Sequence, residues 1–393
     1  MKPIIRDIEK HLVLASKSFP ATVITGPRRS GKTYLLRRIF PKAEYYLFED
    51  PDVISRFRQD PQGFLDGVKP PAILDEIQNV PEVFNFVRSR IDAAPRKMGR
   101  WLLTGSQEAG LMHNVTESMA GRAAVLQLLP LSLHESPKVT PLLGGHPEVL
   151  AKPKAAKLWF SSYLQTYLER DVRAVSAVQD LGAFRRFMSL LATRHGQVLN
   201  KTDLAAPLGM SVPGVGKWLD ILETTGQIFV IQPYFENFGK RIIRSPRIYI
   251  ADSGMACHLL GIDTEAELEK SPFLGAIFEG VVAAEIIKSQ VNAGMRRELY
   301  YFRDQQGLEV DFVLPGKNGS MTLIEAKAFR TAKPDMTLPM RRLATAWKAQ
   351  FGEKRAVRSL LVHRPARANV ASKAIAKDVE VCSWKDLATR IVT

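Results

Sequence analysis

Residues 26–33 read Gly26-Pro27-Arg28-Arg29-Ser30-Gly31-Lys32-Thr33, and this stretch decides the fold of the N-terminal part of the chain. It fits the pattern G-x-x-x-x-G-K-[ST], in which glycines let backbone N–H groups surround a phosphate and the next helix presents its positive N-terminus. An apolar run, Ala21 to Thr25, precedes it, and a helical pattern, Tyr34 to Phe40, follows it. We expect these eight residues to bind ATP, with Lys32 at the β- and γ-phosphates and Thr33 on Mg²⁺.

Two acids end a later apolar strand, Pro70-Pro71-Ala72-Ile73-Leu74-Asp75-Glu76. In isolation such acids are typical of a helix cap or a solvated turn, but after a phosphate loop they indicate catalysis. We expect Asp75 to hold Mg²⁺ through water and Glu76 to orient and deprotonate the attacking water. The strand Trp101 to Thr104 then leads to Ser106, whose hydroxyl would lie near the γ-phosphate; a polar strand-to-loop turn is the alternative.

Short apolar runs alternate with helical patterns in the N-terminal third of the chain. These runs are Tyr45 to Phe48, Ala72 to Leu74, Trp101 to Leu103 and Ala123 to Leu129. The alternation predicts an α/β fold with a parallel sheet covered by helices.

The chain has 393 residues, which is too many for one hydrophobic core. Gly144 to Pro147 and Lys152 to Lys154 are poor in regular structure and indicate a junction. We therefore expect a nucleotide-binding domain at residues 1–145, a helical and helix-turn-helix region at 153–262 and a second α/β domain at 270–393.

The charge balance favours an anionic partner. The net charge is +15 and the isoelectric point is about 9.8. Residues 327–377 carry 13 lysines and arginines against only Asp335 and Glu353. This distribution favours DNA, although a basic solvated face is the alternative.

No apolar run approaches the length that a membrane span needs, so no membrane partner is expected. The N-terminal residues Met1 to Asp7 lack the features of a signal peptide. Cys257 and Cys382 are the only cysteines and indicate neither a disulfide framework nor a zinc site. We expect a cytoplasmic protein.

The middle region carries a helix-turn-helix pattern, with a capped helix from Asn200, a turn at Gly209 and a second helix from Val212 to Thr224. Two strands, Ile228 to Gln232 and Arg247 to Ile250, flank a basic loop that resembles a wing. DNA would be contacted through Ser211, Lys217, Lys240, Arg241 and Arg244. A packing or dimerisation module is the alternative, because proline and glycines at positions 213, 214 and 216 weaken the second helix.

The C-terminal part begins with a largely apolar helix, Phe273 to Val291, that carries Glu279. A predicted hairpin then places Asp311 on one strand and both Glu325 and Lys327 on the other. Because side chains two apart on a strand share a face, these three should project together. We expect Asp311 and Glu325 to hold Mg²⁺, Glu279 to complete the metal shell, and Lys327 to activate water or stabilise developing charge.

These motifs together resemble the prokaryotic AAA-type ATPases that carry a C-terminal domain of unknown function numbered 4143. The resemblance covers nearly the whole chain, and its motifs are Gly26 to Thr33, Leu74 to Glu76, Leu103 to Ser106, Ala120 to Ser132 and Tyr163 to Val172. It implies a nucleotide contact by Arg122, in its own chain or from a neighbouring subunit, with Arg170 and Arg173 as rivals. An arginine supplied in trans would imply a homo-oligomer.

The C-terminal order of helix, three strands, helix and strand, with Asp311, Glu325 and Lys327, resembles the PD-(D/E)XK nuclease superfamily. That fold can persist as a DNA-binding or docking module without cleavage, so the motif leaves activity open. Three hypotheses follow: an Mg²⁺-dependent ATPase that acts on DNA through a nuclease-like domain, a nucleotide-gated DNA-binding regulator, and a protein-assembly module.

Overall fold

Five parallel strands form the sheet that carries the phosphate loop. The computed structural model describes residues 4–105, 118–168, 181–234, 244–352, 355–365 and 375–391. The strands are Ala21–Thr25 (β1), Glu44–Leu47 (β2), Ala72–Asp75 (β3), Trp101–Thr104 (β4) and Ala123–Gln127 (β5). Their order across the sheet is β2-β3-β4-β1-β5. Strands β1, β3 and β4 are buried throughout, as the centre of a sheet covered on both faces requires. The predicted parallel α/β sheet is therefore confirmed.

The helices of this part are Glu9–Ser18 (α1), Lys32–Ile39 (α2), Pro51–Gln59 (α3), Pro61–Gly67 (α4) and Val83–Ala93 (α5). Two of them begin with an aspartate cap followed by proline. Asp50 accepts a hydrogen bond from the backbone of Asp52, and Asp60 accepts one from Gly63. Such caps satisfy amide groups that the first helical turn leaves free.

The middle region is mainly helical. Its helices are Pro147–Ala151 (α6), Ala156–Tyr163 (α7), Leu181–Thr193 (α8), Lys201–Ala205 (α9), Val212–Thr224 (α10), Ser253–Leu259 (α11) and Glu265–Lys270 (α12). The turn between α9 and α10 contains Gly209 at φ +62°, as the helix-turn-helix pattern predicts. The buried side of α10 presents Trp218 to Phe184 and Phe187 at ring distances of 5.4 and 5.2 Å.

Two residues predicted to contact DNA lie in this part. Ser211 caps α10, because its hydroxyl accepts a hydrogen bond from Gly214 at 3.2 Å. Lys217 is exposed on the same helix. Of the predicted wing, Arg244 is exposed, whereas Lys240 and Arg241 lie outside the described residues.

A second sheet joins the middle and C-terminal parts. Its strands are Ile228–Pro233 (β6), Arg247–Ile250 (β7), Tyr300–Arg303 (β8), Glu309–Pro315 (β9), Met321–Lys327 (β10), Val357–His363 (β11) and Val379–Ser383 (β12). Their order is β12-β11-β10-β9-β8-β6-β7. Strand β6 pairs in parallel with β8 at Gln232 and Tyr300. The sheet therefore runs across the junction expected near residues 262–270.

Three helices accompany this sheet: Leu274–Asn292 (α13), Leu338–Phe351 (α14) and Leu387–Ile391 (α15). Helix α13 also contacts the N-terminal part. Lys288 donates to the carbonyl of Leu131 at 2.9 Å, and Glu285 accepts from the amide of Leu133 at 2.8 Å. None of the helices that the structure describes has both the length and the apolar character needed to cross a membrane.

Candidate functional site

The phosphate loop connects β1 to α2 through a backbone that requires glycine. Gly26 has φ +140°, and a Cβ atom there would lie 2.1 Å from the carbonyl oxygen of Leu128. Gly31 has φ +97°, and Arg29 also adopts a positive φ of 60°. The loop therefore holds a backbone conformation that favours glycine at two positions, and at position 26 a side chain would collide with Leu128.

Two buried side chains of the loop fit a phosphate. Lys32 is 5% exposed, and its amino group donates to the carbonyls of Gly26 and Pro27 at 3.1 Å each. Ser30 is fully buried, and its hydroxyl has no hydrogen-bond partner among the described residues. A buried hydroxyl without a partner is costly, and a phosphate oxygen would satisfy it.

The structure brings Thr33 and Asp75 together, as the sequence predicts for an Mg²⁺ site. The Thr33 hydroxyl donates to Asp75 Oδ2 at 2.8 Å, and Asp75 is 2% exposed. Strand β4 lies between β1 and β3, and its last residue, Thr104, donates to Asp75 Oδ1. Carboxylate and hydroxyl oxygens are suitable Mg²⁺ ligands, so the residues present fit the ion.

Sequence reasoning missed Tyr45, which also holds Asp75. The Tyr45 hydroxyl donates to Asp75 Oδ2 at 2.7 Å. Burial and this hydrogen bond raise the pKa of Tyr45 above its ordinary value. The sequence carries no signal for this contact, because it depends on β2 lying beside β3.

Glu76 lies directly after β3 in a left-handed conformation, with φ 56° and ψ 44°. This conformation is uncommon for a residue with a side chain and is typical of functional turns. Its carboxylate accepts a hydrogen bond from Gln78 and lines the same cavity as Lys32 and Asp75. The two predicted acids therefore reach one cavity.

That cavity has a volume of about 700 Å³ and lies between the N-terminal and middle parts of the chain. Pro147 and Glu148 of α6 form part of its wall. Glu148 pairs with Arg29 at 3.1 Å, and the neighbouring Arg28 is 7% exposed.

Arg122 lies at the end of the strands opposite the phosphate loop. Its carbonyl accepts from the amide of Ala21, so it stands at the beginning of β1, whereas the phosphate loop follows the end of β1. Its guanidinium forms two hydrogen bonds with Asp92, at 2.6 and 3.0 Å. Arg122 therefore does not reach the nucleotide cavity of its own chain, and only a role in trans remains as a prediction. Ser106, Arg170 and Arg173 lie outside the described residues.

A second charged site lies on the C-terminal sheet, where Asp311, Glu325 and Lys327 come together as predicted. Asp311 Oδ2 accepts from the amide of Ala326 at 2.9 Å. Lys327 Nζ lies 2.6 Å from Glu325 Oε1 and 3.5 Å from Asp311 Oδ2. The register of β9 against β10 thus places the three side chains on one face.

This site contains a cavity and one carboxylate oxygen that is available to bind a metal ion. The Oε2 atom of Glu325 is buried and has no hydrogen-bond partner among the described residues. Asp311, Glu325 and Lys327 line a cavity of about 550 Å³, and Arg342 of α14 stands at its wall. The free oxygen beside Asp311 fits a divalent cation. Within the described ranges, however, no three His, Cys, Asp or Glu side chains form a metal-binding group by themselves.

Glu279 is held by residues that sequence reasoning missed. Arg247 Nη1 lies 2.9 Å from Glu279 Oε1, and the Tyr249 hydroxyl donates to the same oxygen. Both partners come from β7 of the middle region. Burial and the charge of Asp311 raise the pKa of Glu279, and Arg247 partly offsets this effect. The metal role of Glu279 stays a prediction, and its carboxylate is engaged by an arginine.

Burial and the charge of Asp311 likewise raise the pKa of Glu325. For Lys327, burial lowers the pKa, but the charges of Asp311 and Glu325 outweigh burial and raise it overall. The lysine is therefore held in its charged form, which suits electrostatic stabilisation better than proton abstraction.

Three family models match the chain. They are an AAA domain over residues 18–136, a domain of unknown function (DUF8612) over residues 140–266 and a domain of unknown function (DUF4143) over residues 274–372.

Two curated relatives are the uncharacterized proteins Mb2031c of Mycobacterium bovis and Rv2008c of Mycobacterium tuberculosis. Each is 32% identical over 343 residues, which cover 86% of this chain and 76% of the relative. Among solved structures, the Walker-type ATPase PABY2304 of Pyrococcus abyssi aligns with 64% of this chain and 94% of its own, at 16% identity and a TM-score of 0.43.

Proposed function

Because this chain belongs to the family of prokaryotic AAA-type P-loop ATPases with a C-terminal DUF4143 domain, we propose that it binds and hydrolyses ATP with Mg²⁺. The observation that carries this proposal is the Thr33–Asp75 contact of 2.8 Å beside Lys32 and Glu76 in one cavity. These are the residue types that positioning and charge stabilisation of a phosphoryl group require.

Each residue has a defined task in this proposal. The loop amides and Lys32 bind the phosphates, and Lys32 exchanges its two carbonyl contacts for phosphate oxygens. Thr33 and Asp75 would hold Mg²⁺, which when bound neutralises part of the triphosphate charge. Glu76 orients the attacking water and accepts its proton. The apolar side chains of Ile4, Leu131 and Pro147 in the wall of the cavity suit a flat base.

The test is ATP turnover by the purified full-length protein with Mg²⁺, in Lys32→Ala and in a matched control. Lys42→Ala serves as the control because Lys42 is an exposed lysine of the same part and does not line the cavity. We expect turnover to be lost in the first variant and kept in the second. Unchanged turnover in Lys32→Ala would contradict the assignment of the loop.

The partner that we propose is DNA, bound through the C-terminal part. The support is the concentration of 13 basic residues between positions 327 and 377, of which Arg341 and Arg342 are exposed on α14. Arg342 also borders the cavity of Asp311 and Glu325, so a phosphodiester there would meet cations and carboxylates together. Cleavage would use Asp311 and Glu325 for Mg²⁺ and Lys327 for the developing charge.

The second candidate function is binding without cleavage. Arg247 and Lys327 favour it, because they already neutralise part of the carboxylate site. The site would then bind DNA without cutting it, or the basic surface would bind an acidic protein. The function would then be that of a nucleotide-gated regulator.

Labelled linear and supercoiled DNA distinguish these functions, incubated with Mg²⁺ or Mn²⁺, with and without ATP. Cleavage by the natural chain that is lost in both Asp311→Ala and Lys327→Ala would identify an ATP-coupled nuclease. Salt-sensitive binding without cleavage would identify the gripping role. Absence of DNA binding at low salt would favour the acidic protein partner.

A further inference from the structure

Arg247 lies in the C-terminal carboxylate site although it belongs to β7 of the middle region. Its side chain is 4% exposed. Nη1 lies 2.9 Å from Glu279 Oε1 and 3.8 Å from Asp311 Oδ1, while Nη2 pairs with Glu309. The guanidinium carbon also stands 4.8 Å from the centre of the Tyr301 ring. Arg247 is thus fixed between three carboxylates and an aromatic ring.

Carboxylates outnumber cations in the buried part of this site, where Glu279, Asp311 and Glu325 lie with Arg247 and Lys327. Glu309, Arg303 and Arg342 lie at its more exposed rim. Carboxylates held this close disfavour one another's ionisation, and a bound cation relieves that repulsion.

The place open to such a cation lies at Glu325 and Asp311. Glu325 is 4% exposed, and its Oε2 atom has no hydrogen-bond partner in the part of the chain that the structure describes. Asp311 Oδ1 is 3.8 Å from Arg247, which is beyond hydrogen-bond distance. These two oxygens belong to side chains that border one cavity. The space between Glu279 and Asp311, in contrast, is filled by the guanidinium.

We infer that Arg247 takes the place of a second cation, so that this site holds one divalent ion at Asp311 and Glu325. The inference rests on the metal site proposed above. Arg247 is a positioning residue: the two arms of its guanidinium hold Glu279 and Glu309, and its charge, 3.8 Å from Asp311, excludes a second ion. The site is therefore complete only when the middle region contributes β7.

The experiment is calorimetric titration of Mn²⁺ into nucleotide-free full-length protein. All samples carry Asp75→Asn so that the nucleotide cavity does not contribute. The parent protein, which carries only Asp75→Asn, is expected to bind one Mn²⁺ per chain. Adding Asp311→Asn is expected to abolish that binding. Arg247→Met should add a second ion or tighten binding by about tenfold or more, because a positive charge a few ångströms away is removed.

Arg247→Lys is the second variant, since it keeps a positive charge beside Glu279 and protects the fold. A lysine cannot span two carboxylates as a guanidinium does, so we expect one ion bound several-fold more tightly. Circular dichroism establishes that each variant is folded.

Two results would overturn the inference and are distinguishable. One Mn²⁺ with unchanged affinity in both Arg247 variants, or two ions in the parent, would leave the metal site standing and remove the role of Arg247. No Mn²⁺ bound by the parent or any variant would refute the metal site itself and the inference with it.

Discussion

Asp75 in the nucleotide cavity and Asp311 in the C-terminal site are both buried carboxylates on β-strands, but their partners differ in kind. Asp75 accepts hydrogen bonds from three neutral hydroxyls, those of Thr33, Tyr45 and Thr104. Asp311 has one backbone amide and two cations close by, at 3.5 and 3.8 Å. A neutral hydroxyl can give up its hydrogen bond to the carboxylate when a metal ion binds, and no unpaired charge remains. A lysine or arginine beside the carboxylate keeps its own charge, which then needs another counter-charge or must move away from the ion.

The difference indicates two kinds of binding site. The nucleotide cavity is arranged for a ligand and an ion that come and go. The C-terminal site carries the positive charges of Arg247 and Lys327 permanently, and Arg247 comes from another region of the chain. Substitutions at the two sites should therefore differ in what they change, catalysis at the first and stability at the second.

Glu76→Gln should have the largest effect. It keeps the shape of the side chain and removes the base, so we expect ATP hydrolysis to fall by about 10²-fold or more. ATP binding should persist, because Lys32 and the loop are intact. Stopped hydrolysis with retained binding of a fluorescent ATP analogue would support the assignment. Hydrolysis at the parent rate would refute Glu76 as the base.

Arg247→Met should have the largest effect on stability. Removing one partner of a buried ion pair leaves Glu279 uncompensated, which typically costs about 3–5 kcal/mol. Arg58→Met is the matched control, because Arg58 pairs with Glu82 on the surface, where such pairs contribute less than about 1 kcal/mol. Urea unfolding measures both. Equal losses in the two variants would mean that the buried network does not hold the C-terminal site together.

The stability of the protein should depend on pH through the C-terminal site, because the pKa values of Glu279 and Glu325 are raised there. When folding raises the pKa of a carboxyl group, the folded protein keeps a proton that the unfolded chain releases above about pH 4.5. This stronger proton binding stabilises the folded state. The stabilisation is fully present below that pH and is lost as the pH rises through the pKa of the folded state. The loss is about 1.4 kcal/mol for each tenfold difference in proton affinity between the folded and unfolded states.

We therefore expect the melting temperature of metal-free protein to fall less with rising pH in Glu325→Gln than in the parent. Two buried histidines, His146 and His195, have pKa values lowered by burial, so they destabilise the fold as pH falls. The difference between parent and variant removes their contribution. Parallel curves for the two proteins would speak against a raised pKa at Glu325.

The sequence predicted which residues of the N-terminal cavity come together, because each part of that cavity is local. Residues 26–33 and the pair Asp75 and Glu76 each lie in one continuous stretch whose strand and loop are set by neighbours. Helices α3 and α4 were missed, although Asp50-Pro51 and Asp60-Pro61 are start signals that could have revealed them.

The C-terminal site was predicted only where it depends on one hairpin. Asp311, Glu325 and Lys327 follow from the period of two along paired strands. Arg247 lies far before them in the sequence and reaches them because β6 and β7 join the second sheet. No local pattern encodes that pairing, so a basic residue in a middle strand gave no functional signal.

Tyr45→Phe should have the smallest effect and tests how Asp75 is held. Losing one of three hydroxyl donors leaves the carboxylate bound by Thr33 and Thr104, so we expect a loss of about 0.5–1.5 kcal/mol, or roughly 2–10-fold. We expect the loss to appear as a higher Mg²⁺ concentration at half-maximal ATP hydrolysis. Tyr45 orients a metal ligand in this proposal and touches no phosphate. Tyr46→Phe is the control, since the neighbouring hydroxyl donates to Glu44 and does not contact Asp75. An equal change in both variants would show that β2 acts only through packing. A lower maximal rate of Tyr45→Phe at saturating Mg²⁺ would instead show that Tyr45 contributes to the chemical step and not to positioning of the ion.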